Sequence, residues 1–257
     1  MAQVISVIQE KGGTGKSTIA TNLAGMAATQ VKKTTKPILG RTPPFPIYKV
    51  AIIDCDMPQG TSQSWASIRL ENNRQRAANI VATDNQDFQN IWEQPDNLTA
   101  WTATNYTELV ELVGKLDKDH DLIVIDAPPR IAETTKAALI LSTLTLIPLG
   151  ASAAEIWATA DLLNTIEAAK RHKGEVDARI LWNRFRASTN SAKELSEAVR
   201  TELNLKQLKT RLGYRVAYSE ALARGLTALE WTDKQAQAEI KQLGAELNQI
   251  LKTQLWS

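Results

Sequence analysis

A glycine-containing loop near the N-terminus, KGGTGKST at residues 11–18, constrains this chain more than any other feature of its sequence. A short β-prone run at residues 4–8 leads directly into the loop, and a helical pattern of apolar residues follows it. The glycines let successive backbone N–H groups turn toward phosphate oxygens, and the helix presents its positive N-terminus to the same anion. This order of strand, loop and helix predicts a binding site for a nucleoside triphosphate.

The end of the loop carries the side chains that a triphosphate requires. We expect Lys16 to reach the β- and γ-phosphates and the hydroxyl of Ser17 to ligate Mg²⁺. The predicted phosphate contacts come from the loop residues Gly12, Gly13, Thr14, Gly15, Lys16, Ser17 and Thr18.

Two acidic segments follow apolar runs further along the chain. Residues 50–53 are typical of a buried strand and lead into Asp54 and Asp56, and residues 122–125 are four apolar residues that end in Asp126. Carboxylates suit Mg²⁺, which dehydrates reluctantly and is commonly held by one or two acids together with phosphate oxygens. The structural alternative is that Asp54 and Asp56 merely end a strand and cap the next helix.

The rest of the sequence alternates between apolar runs and helix-like stretches. Further apolar runs occur at residues 79–82, 144–148 and 178–182. This alternation predicts an α/β fold, a doubly wound and mostly parallel sheet with helices on both faces. The 257 residues suit one domain over residues 1–257. Two surface excursions interrupt the pattern, a proline- and lysine-rich one at about residues 29–49 and another at residues 93–104.

Composition excludes some classes of protein. The single cysteine cannot form an intramolecular disulfide, and the N-terminus has no pattern of a secretory signal, so a cytoplasmic location is expected. No apolar run approaches the roughly 18 residues of a membrane span. The net charge of +2 permits a nucleic-acid surface without requiring one, so a DNA-binding hypothesis depends on local clusters of basic residues.

Several motifs together resemble one family. A lysine, Lys11, stands at the front of the loop, and the spacing of the glycines differs from the ordinary P-loop; both features resemble the deviant Walker A motif of the ParA family. The DCDMPQG run at residues 54–60 resembles the second motif of that family with one extra residue, Met57. The DAPP run at residues 126–129 resembles the next turn, and the LWNR run at residues 181–184 resembles its strand-end Asn-Arg. The resemblance covers about residues 3–229.

The resemblance implies a role for each of these residues. Lys11 is the signature lysine, which in the family crosses the interface of an ATP-bound dimer and stabilises charge on the partner's nucleotide. Asp56 is expected to position the attacking water and Asp54 to hold a Mg²⁺-bound water, although the extra Met57 leaves the choice between the two carboxylates open. Asp126 is expected to act on Mg²⁺ through water. Asn183 is expected to read the edge of adenine.

The family also implies a function. The protein is expected to be a Mg²⁺-dependent ATPase that forms a homodimer on ATP and binds double-stranded DNA nonspecifically. A ParB-like or other small adaptor protein would stimulate hydrolysis, so that a plasmid, a chromosome or a protein organelle is positioned on the nucleoid. Phosphate contacts need only lysines and arginines on one face. The candidates for these contacts are Arg184, Arg186, Lys209, Arg211 and Arg215.

Two other classes of ATPase and a pure binding module stand as alternatives. A MinD-like ATPase would lie on a membrane through an amphipathic C-terminal helix, and residues 232–256 do have helical apolar spacing. The polar face of this helix mixes acids with lysines, however, whereas a membrane-surface helix is usually rich in lysine and arginine. We therefore expect the helix to pack on the domain, and we expect no stable membrane association. A dethiobiotin-synthase-like ligase remains open. A nitrogenase-iron-protein-like reductase would need two thiolates from each subunit, and the single cysteine of this chain argues against it. A binding module would keep the loop but gain nothing from Asp54 and Asp56.

Overall fold

The computed structural model describes residues 1–30, 48–82, 97–129, 132–150, 152–185, 197, 199–201 and 203–256, and seven strands within them form one sheet. The strands are β1 Gln3–Val7, β2 Val50–Asp54, β3 Leu98–Thr102, β4 Leu122–Asp126, β5 Leu144–Leu149, β6 Ala178–Phe185 and β7 Lys206–Gly213. All neighbouring strands pair in parallel, in the order β3-β2-β4-β1-β5-β6-β7.

Helices cover both faces of this sheet. They are α1 Lys16–Ala28, α2 Thr61–Ala82, α3 Tyr106–Leu116, α4 Ala132–Leu141, α5 Ala153–Lys173, α6 Val216–Ala223 and α7 Lys234–Leu251. One core cluster lies between the sheet and α3, α4 and α5, and a second lies between the sheet and α1, α2, α6 and α7. The predicted doubly wound α/β fold is therefore confirmed.

The central strands read as continuous apolar runs because both of their faces are covered. Every residue of β2 and of β4 is buried, including the aspartate that ends each strand. Parallel strands place their carboxyl ends at one edge of the sheet. The loops that follow β1, β2, β4 and β5 therefore meet at that carboxyl edge, with the glycine-containing loop after the central strand β1.

Three sequence predictions about the elements need comment. The apolar run at residues 79–82 is not a strand but the last turn of α2, since a short apolar run is compatible with either element. The excursion predicted at residues 93–104 contains the edge strand β3, whose exposed threonines hide the usual pattern. The excursion predicted at residues 29–49 lies largely outside the described residues.

The C-terminal helix packs on the domain, as predicted. Ile240, Leu243 and Leu247 of α7 are wholly buried in the second core cluster, and so is Trp256 beyond the end of the helix. The Trp256 indole N–H donates a hydrogen bond to the backbone carbonyl of Leu23 in α1 at 3.0 Å. Among the helices of the described residues, none combines the length and the apolar composition needed to cross a bilayer.

Candidate nucleotide-binding site

The loop between β1 and α1 depends on glycine at two positions. Gly13 and Gly15 have φ angles of 73° and 94°, which side-chain-bearing residues rarely adopt. A Cβ atom at Gly15 would also lie 2.2 Å from the Asn183 side-chain nitrogen, so no larger residue fits there. Gly15 is the N-cap of α1, and the loop therefore presents the N-terminal end of that helix at the carboxyl edge of the sheet.

Lys16 is buried directly behind this loop. Its ammonium group donates a hydrogen bond to the backbone carbonyl of Lys11 at 3.5 Å, which holds the cation inside the curve of the loop. Burial lowers the pKa of Lys16, whereas the nearby carboxylates of Asp126 and Asp56 raise it. A cation is thus held where an anion bound by the loop would compensate its lost hydration.

Asp126 ends β4 and is completely buried. Its Oδ2 accepts a hydrogen bond from the Ser62 hydroxyl at 2.5 Å, and the Ser17 hydroxyl also donates to the Asp126 carboxylate. Its Oδ1 is buried without a hydrogen-bond partner in the part of the chain that the structure describes. Burial raises the pKa of Asp126 to about 7, although the two hydroxyls oppose the change; the Asp54 carboxylate raises it further and Lys16 lowers it.

These groups fit a Mg²⁺ ion. The ion prefers hard oxygen ligands, and the Ser17 hydroxyl and the Asp126 carboxylate lie together beside the phosphate loop. A buried carboxylate oxygen without a partner is a place where a cation, or a water bound to it, would restore the missing interaction. The donor set therefore agrees with the magnesium roles predicted for Ser17 and Asp126.

The two aspartates after β2 occupy different environments. Asp54 is buried, and its two oxygens accept the backbone N–H groups of Asp56 and Gln63, each at 2.9 Å. It thus ties the loop at residues 55–60 to the first turn of α2, the capping role that was the structural alternative. Asp56 is only partly buried. Burial raises its pKa, as does Asp54, while Lys16 lowers it.

The extra residue of this loop, Met57, is exposed to solvent. It lies directly after Asp56 and changes neither the register of β2 with β4 nor the pairing of Asp54 with Asp126 across these strands. The inserted residue is therefore accommodated at the surface. Of the two carboxylates, Asp56 is the one with a solvent-accessible side and without a capping role in the described contacts.

Lys11 projects from the front of the loop. Its side chain is 41% exposed, and its ammonium lies 3.6 Å from a carboxylate oxygen of Glu155 in the first turn of α5. The other oxygen of Glu155 accepts the backbone N–H of Gly150.

Neither Glu155 nor Ser62 was predicted as a site residue, because a serine or glutamate in a first helical turn is an ordinary helix-start signal.

A cleft of about 170 Å³ adjoins the phosphate loop on the side of β6 and β7. Asn183 lies in its wall, and the side-chain N–H of Asn183 donates to the backbone carbonyl of Thr14 at 2.6 Å. Asn183 therefore supports the loop itself. The other residues of the lining include Thr18, Asn22, Arg184, Tyr214, Arg215 and Ser219.

The predicted DNA contacts are separated by the structure into different environments. Lys209 and Arg211 are exposed on one face of the edge strand β7, and Arg184 is exposed near the end of β6. The Arg211 guanidinium lies 4.4 Å from the centre of the Phe185 ring. Arg215 instead forms an ion pair with Glu239 on α7 at 2.6 Å. Arg186 lies outside the described residues.

Comparison with known proteins identifies the family of this chain. A sequence model of a family described as ATPase MipZ matches residues 3–255. The chain belongs to the MipZ family of ATPases. The sequence resemblance to ParA-type ATPases is confirmed, since curated relatives include the sporulation initiation inhibitor protein Soj of Bacillus subtilis strain 168. That relative is 25% identical, with 93% of this chain and 95% of Soj covered.

Another relative and several solved structures match this MipZ-family chain over nearly its full length. The maintenance of carboxysome distribution protein A of Halothiobacillus neapolitanus is 22% identical, with 97% of this chain and 95% of the relative covered. The solved structure of apo McdA from Cyanothece has a TM-score of 0.69 at 15% identity, over 96% of this chain and 100% of that one. MinD from Pyrococcus horikoshii in complex with Mg-ADP has a TM-score of 0.61 at 17% identity, over 98% of both chains. At these identities the solved structures support the fold alone.

Proposed function

We propose that this protein is a Mg²⁺-dependent ATPase that associates into a homodimer on ATP, binds duplex DNA without sequence preference and positions a cargo with a small adaptor protein. The observation that carries the proposal is the grouping of the buried Lys16 and Asp126 with the Ser17 hydroxyl at a glycine loop that opens at the carboxyl edge of the sheet. Membership of an ATPase family and relatives named for positioning cargo support it.

Each residue of the site has a role in ATP hydrolysis under this proposal. The loop N–H groups and Lys16 bind the phosphates, and Ser17 and Asp126 would hold Mg²⁺, Asp126 through water. A Mg²⁺ ion held there would supply positive charge to neutralise the charge that develops on the bridging oxygens. Asp54 holds the loop at residues 55–60 against α2, is the cross-strand neighbour of Asp126 and would bind a Mg²⁺-bound water, and Asp56 orients the attacking water. The raised pKa of Asp56 suits a carboxylate that accepts a proton from that water.

The cleft beside the loop is the proposed site of the adenine ring. It begins at Gly15, so a base bound there would be continuous with phosphates on the loop. Asn183 has its N–H donor engaged by Thr14. The amide oxygen and the remaining N–H of Asn183 are the groups that would contact the base edge.

The proposed DNA surface consists of Arg184, Lys209 and Arg211, which are exposed at the β6–β7 edge of the sheet. Arg186 remains a candidate from the sequence. Arg215 is a weaker candidate because Glu239 neutralises it and holds it in place. A protein that binds DNA in this way would be cytoplasmic and associated with the nucleoid, where an adaptor carried by the cargo would stimulate hydrolysis.

Binding to nonspecific duplex DNA tests this proposal, with ATP, with ADP and without nucleotide, at two salt concentrations. We expect binding with ATP only, because the proposal assigns DNA binding to the ATP-bound dimer. This binding should weaken as the salt concentration rises, because each contact to a DNA phosphate releases counterions. The double variant Lys209→Ala/Arg211→Ala should bind about tenfold more weakly and reduce the slope of log K against log salt by about 2. Lys241→Ala, which removes an exposed charge from α7, is the matched control and should change little. No DNA binding in any nucleotide state would contradict the proposal.

A further inference from the structure

A tryptophan beside the phosphate loop faces solvent. Trp157, the fifth residue of α5, is 69% exposed, and it is the only exposed tryptophan among those that the structure describes. Trp65, Trp182 and Trp256 are fully buried. A tryptophan side chain has a large apolar surface that gains free energy when water is removed from it, and tryptophan is enriched at the energetic centres of protein interfaces.

The helix turn just before Trp157 borders the candidate site. Glu155, two residues earlier, contacts both Lys11 and the backbone of Gly150, so the first turn of α5 borders the front of the phosphate loop. Gly12, in the same loop, is exposed and has open space on the side where a Cβ atom would lie. Met57, the exposed residue after β2, projects from the same carboxyl edge of the sheet.

Charges of both signs occur on α5 and on the neighbouring loop after β1. Asp161 lies four residues after it, on the same face of α5, and is exposed. Burial and the nearby Asp161 carboxylate raise the pKa of Glu10, so Glu10 and Asp161 are close in space. Lys11 supplies an exposed positive charge next to Glu10. In a two-fold contact the same patch occurs on both sides, so the patch must carry both signs to be self-complementary.

We propose that Trp157 is the apolar anchor of a two-fold contact with a second copy of this chain, formed when both copies hold ATP. The inference deepens the proposed function, on whose ATP-dependent dimer it rests. Trp157 removes its apolar surface from water at the centre of the contact. Lys11 of one copy lies against the triphosphate of the other copy and near its acidic residues Glu10 and Asp161. The open space beside Gly12 leaves room for this contact.

Sedimentation velocity with a slowly hydrolysed ATP analogue and Mg²⁺ tests this inference. We expect the wild-type protein to dimerise with the analogue and to stay monomeric with ADP. Trp157→Ala should raise the dimer dissociation constant at least tenfold, as expected for a central anchor. Tyr106→Ala removes an exposed aromatic residue from α3, in another part of the fold, and should change the constant less than twofold. Unchanged nucleotide affinity and melting temperature in Trp157→Ala would show that the fold and the site remain intact.

The tryptophan also provides a direct signal. Its emission should shift to shorter wavelength with the ATP analogue and not with ADP, and Trp157→Phe should lose that shift. If the wild type dimerises and Trp157→Ala dimerises equally well, the inference is wrong while the proposed function stands. If the wild type remains monomeric with the analogue, the proposed ATP-dependent dimer is itself wrong, and the inference with it.

Discussion

At the scale of single residues, the site combines groups that the folded protein tolerates only at a cost in stability. Asp126 is a fully buried carboxylate, and Lys16 is a largely buried ammonium group close to it. Burial of a charge without full compensation is unfavourable, and perturbed pKa values of this kind are concentrated at functional sites. The arrangement is understandable if phosphate and Mg²⁺ supply the missing interactions.

Replacement of Asp126 by asparagine should therefore stabilise the nucleotide-free protein above pH 7. The folded pKa of about 7 lies above the unfolded value of about 4, so the folded state holds one more proton between these pH values. The stability that this group contributes is complete below about pH 4 and is lost as the pH rises through 7. Asp126→Asn removes this loss, and we expect it to be more stable than the wild type by roughly 1–3 kcal/mol at pH 8.

Urea unfolding of both proteins at pH 5 and pH 8, without nucleotide or Mg²⁺, measures this effect. Groups far from Asp126 titrate alike in the two proteins, so the difference between them reports on Asp126 and the neighbours coupled to it, such as Lys16. A difference in stability that is the same at both pH values would contradict the raised pKa. The same substitution should weaken Mg²⁺-dependent ATP binding, because it removes the carboxylate beside Ser17.

At the scale of elements, helix α2 connects the candidate site to the C-terminal part of the fold. Three side chains along one face of α2, at positions 65, 69 and 72, donate hydrogen bonds to three consecutive backbone carbonyls at positions 226, 225 and 224. Gly225 permits this close approach, since a Cβ atom there would lie 2.6 Å from the backbone of Arg69. The helix that begins at the Asp54 loop is thereby held against the segment after α6.

The ion pair between Arg69 and Glu230 is the strongest candidate for a structural contact in this region. The Arg69 guanidinium is buried and binds both oxygens of Glu230, at 2.8 and 3.2 Å. Arg69→Ala would leave the partly exposed Glu230 carboxylate without its cation and the Gly225 carbonyl without its side-chain donor, so we expect a loss of about 3 kcal/mol in the free energy of unfolding. Lys170→Ala breaks the exposed pair with Glu167 and should cost less than about 0.5 kcal/mol. Equal effects of the two variants in urea unfolding would show that the Arg69–Glu230 pair contributes no more to stability than an exposed pair.

Sequence reasoning found the elements whose signals are local. The phosphate loop, the strands that end in Asp54 and Asp126, and the amphipathic tail each have a pattern within a few residues, and the structure has a matching element at each place. Ser62 and Arg69 were not predicted as contact residues, because their partners lie 64 and 161 residues away along the chain. Strand β7 was missed because its exposed residues are basic, which is typical of a strand at the edge of a sheet.

At the scale of the whole molecule, the sheet order explains why residues distant in sequence form one site. The first strand lies in the centre, with β2 and β4 on one side and β5 and β6 on the other. The acids after β2 and β4 thus approach the phosphate loop from one side, and Glu155 and Asn183 approach it from the other. Lys11 lies at the front of this site, 41% exposed and 3.6 Å from Glu155.

The most direct test of the account is the association state of the wild type and of Lys11→Ala with ATP, with ADP and without nucleotide, measured by sedimentation velocity with Mg²⁺. We expect the wild type to be dimeric with ATP and monomeric otherwise. Lys11→Ala should bind ATP within about threefold of the wild type, because Lys16 supplies the cation for its own phosphates, and should stay monomeric. A Lys11→Ala protein that dimerises on ATP like the wild type, or a wild type that is monomeric with ATP, would contradict the account.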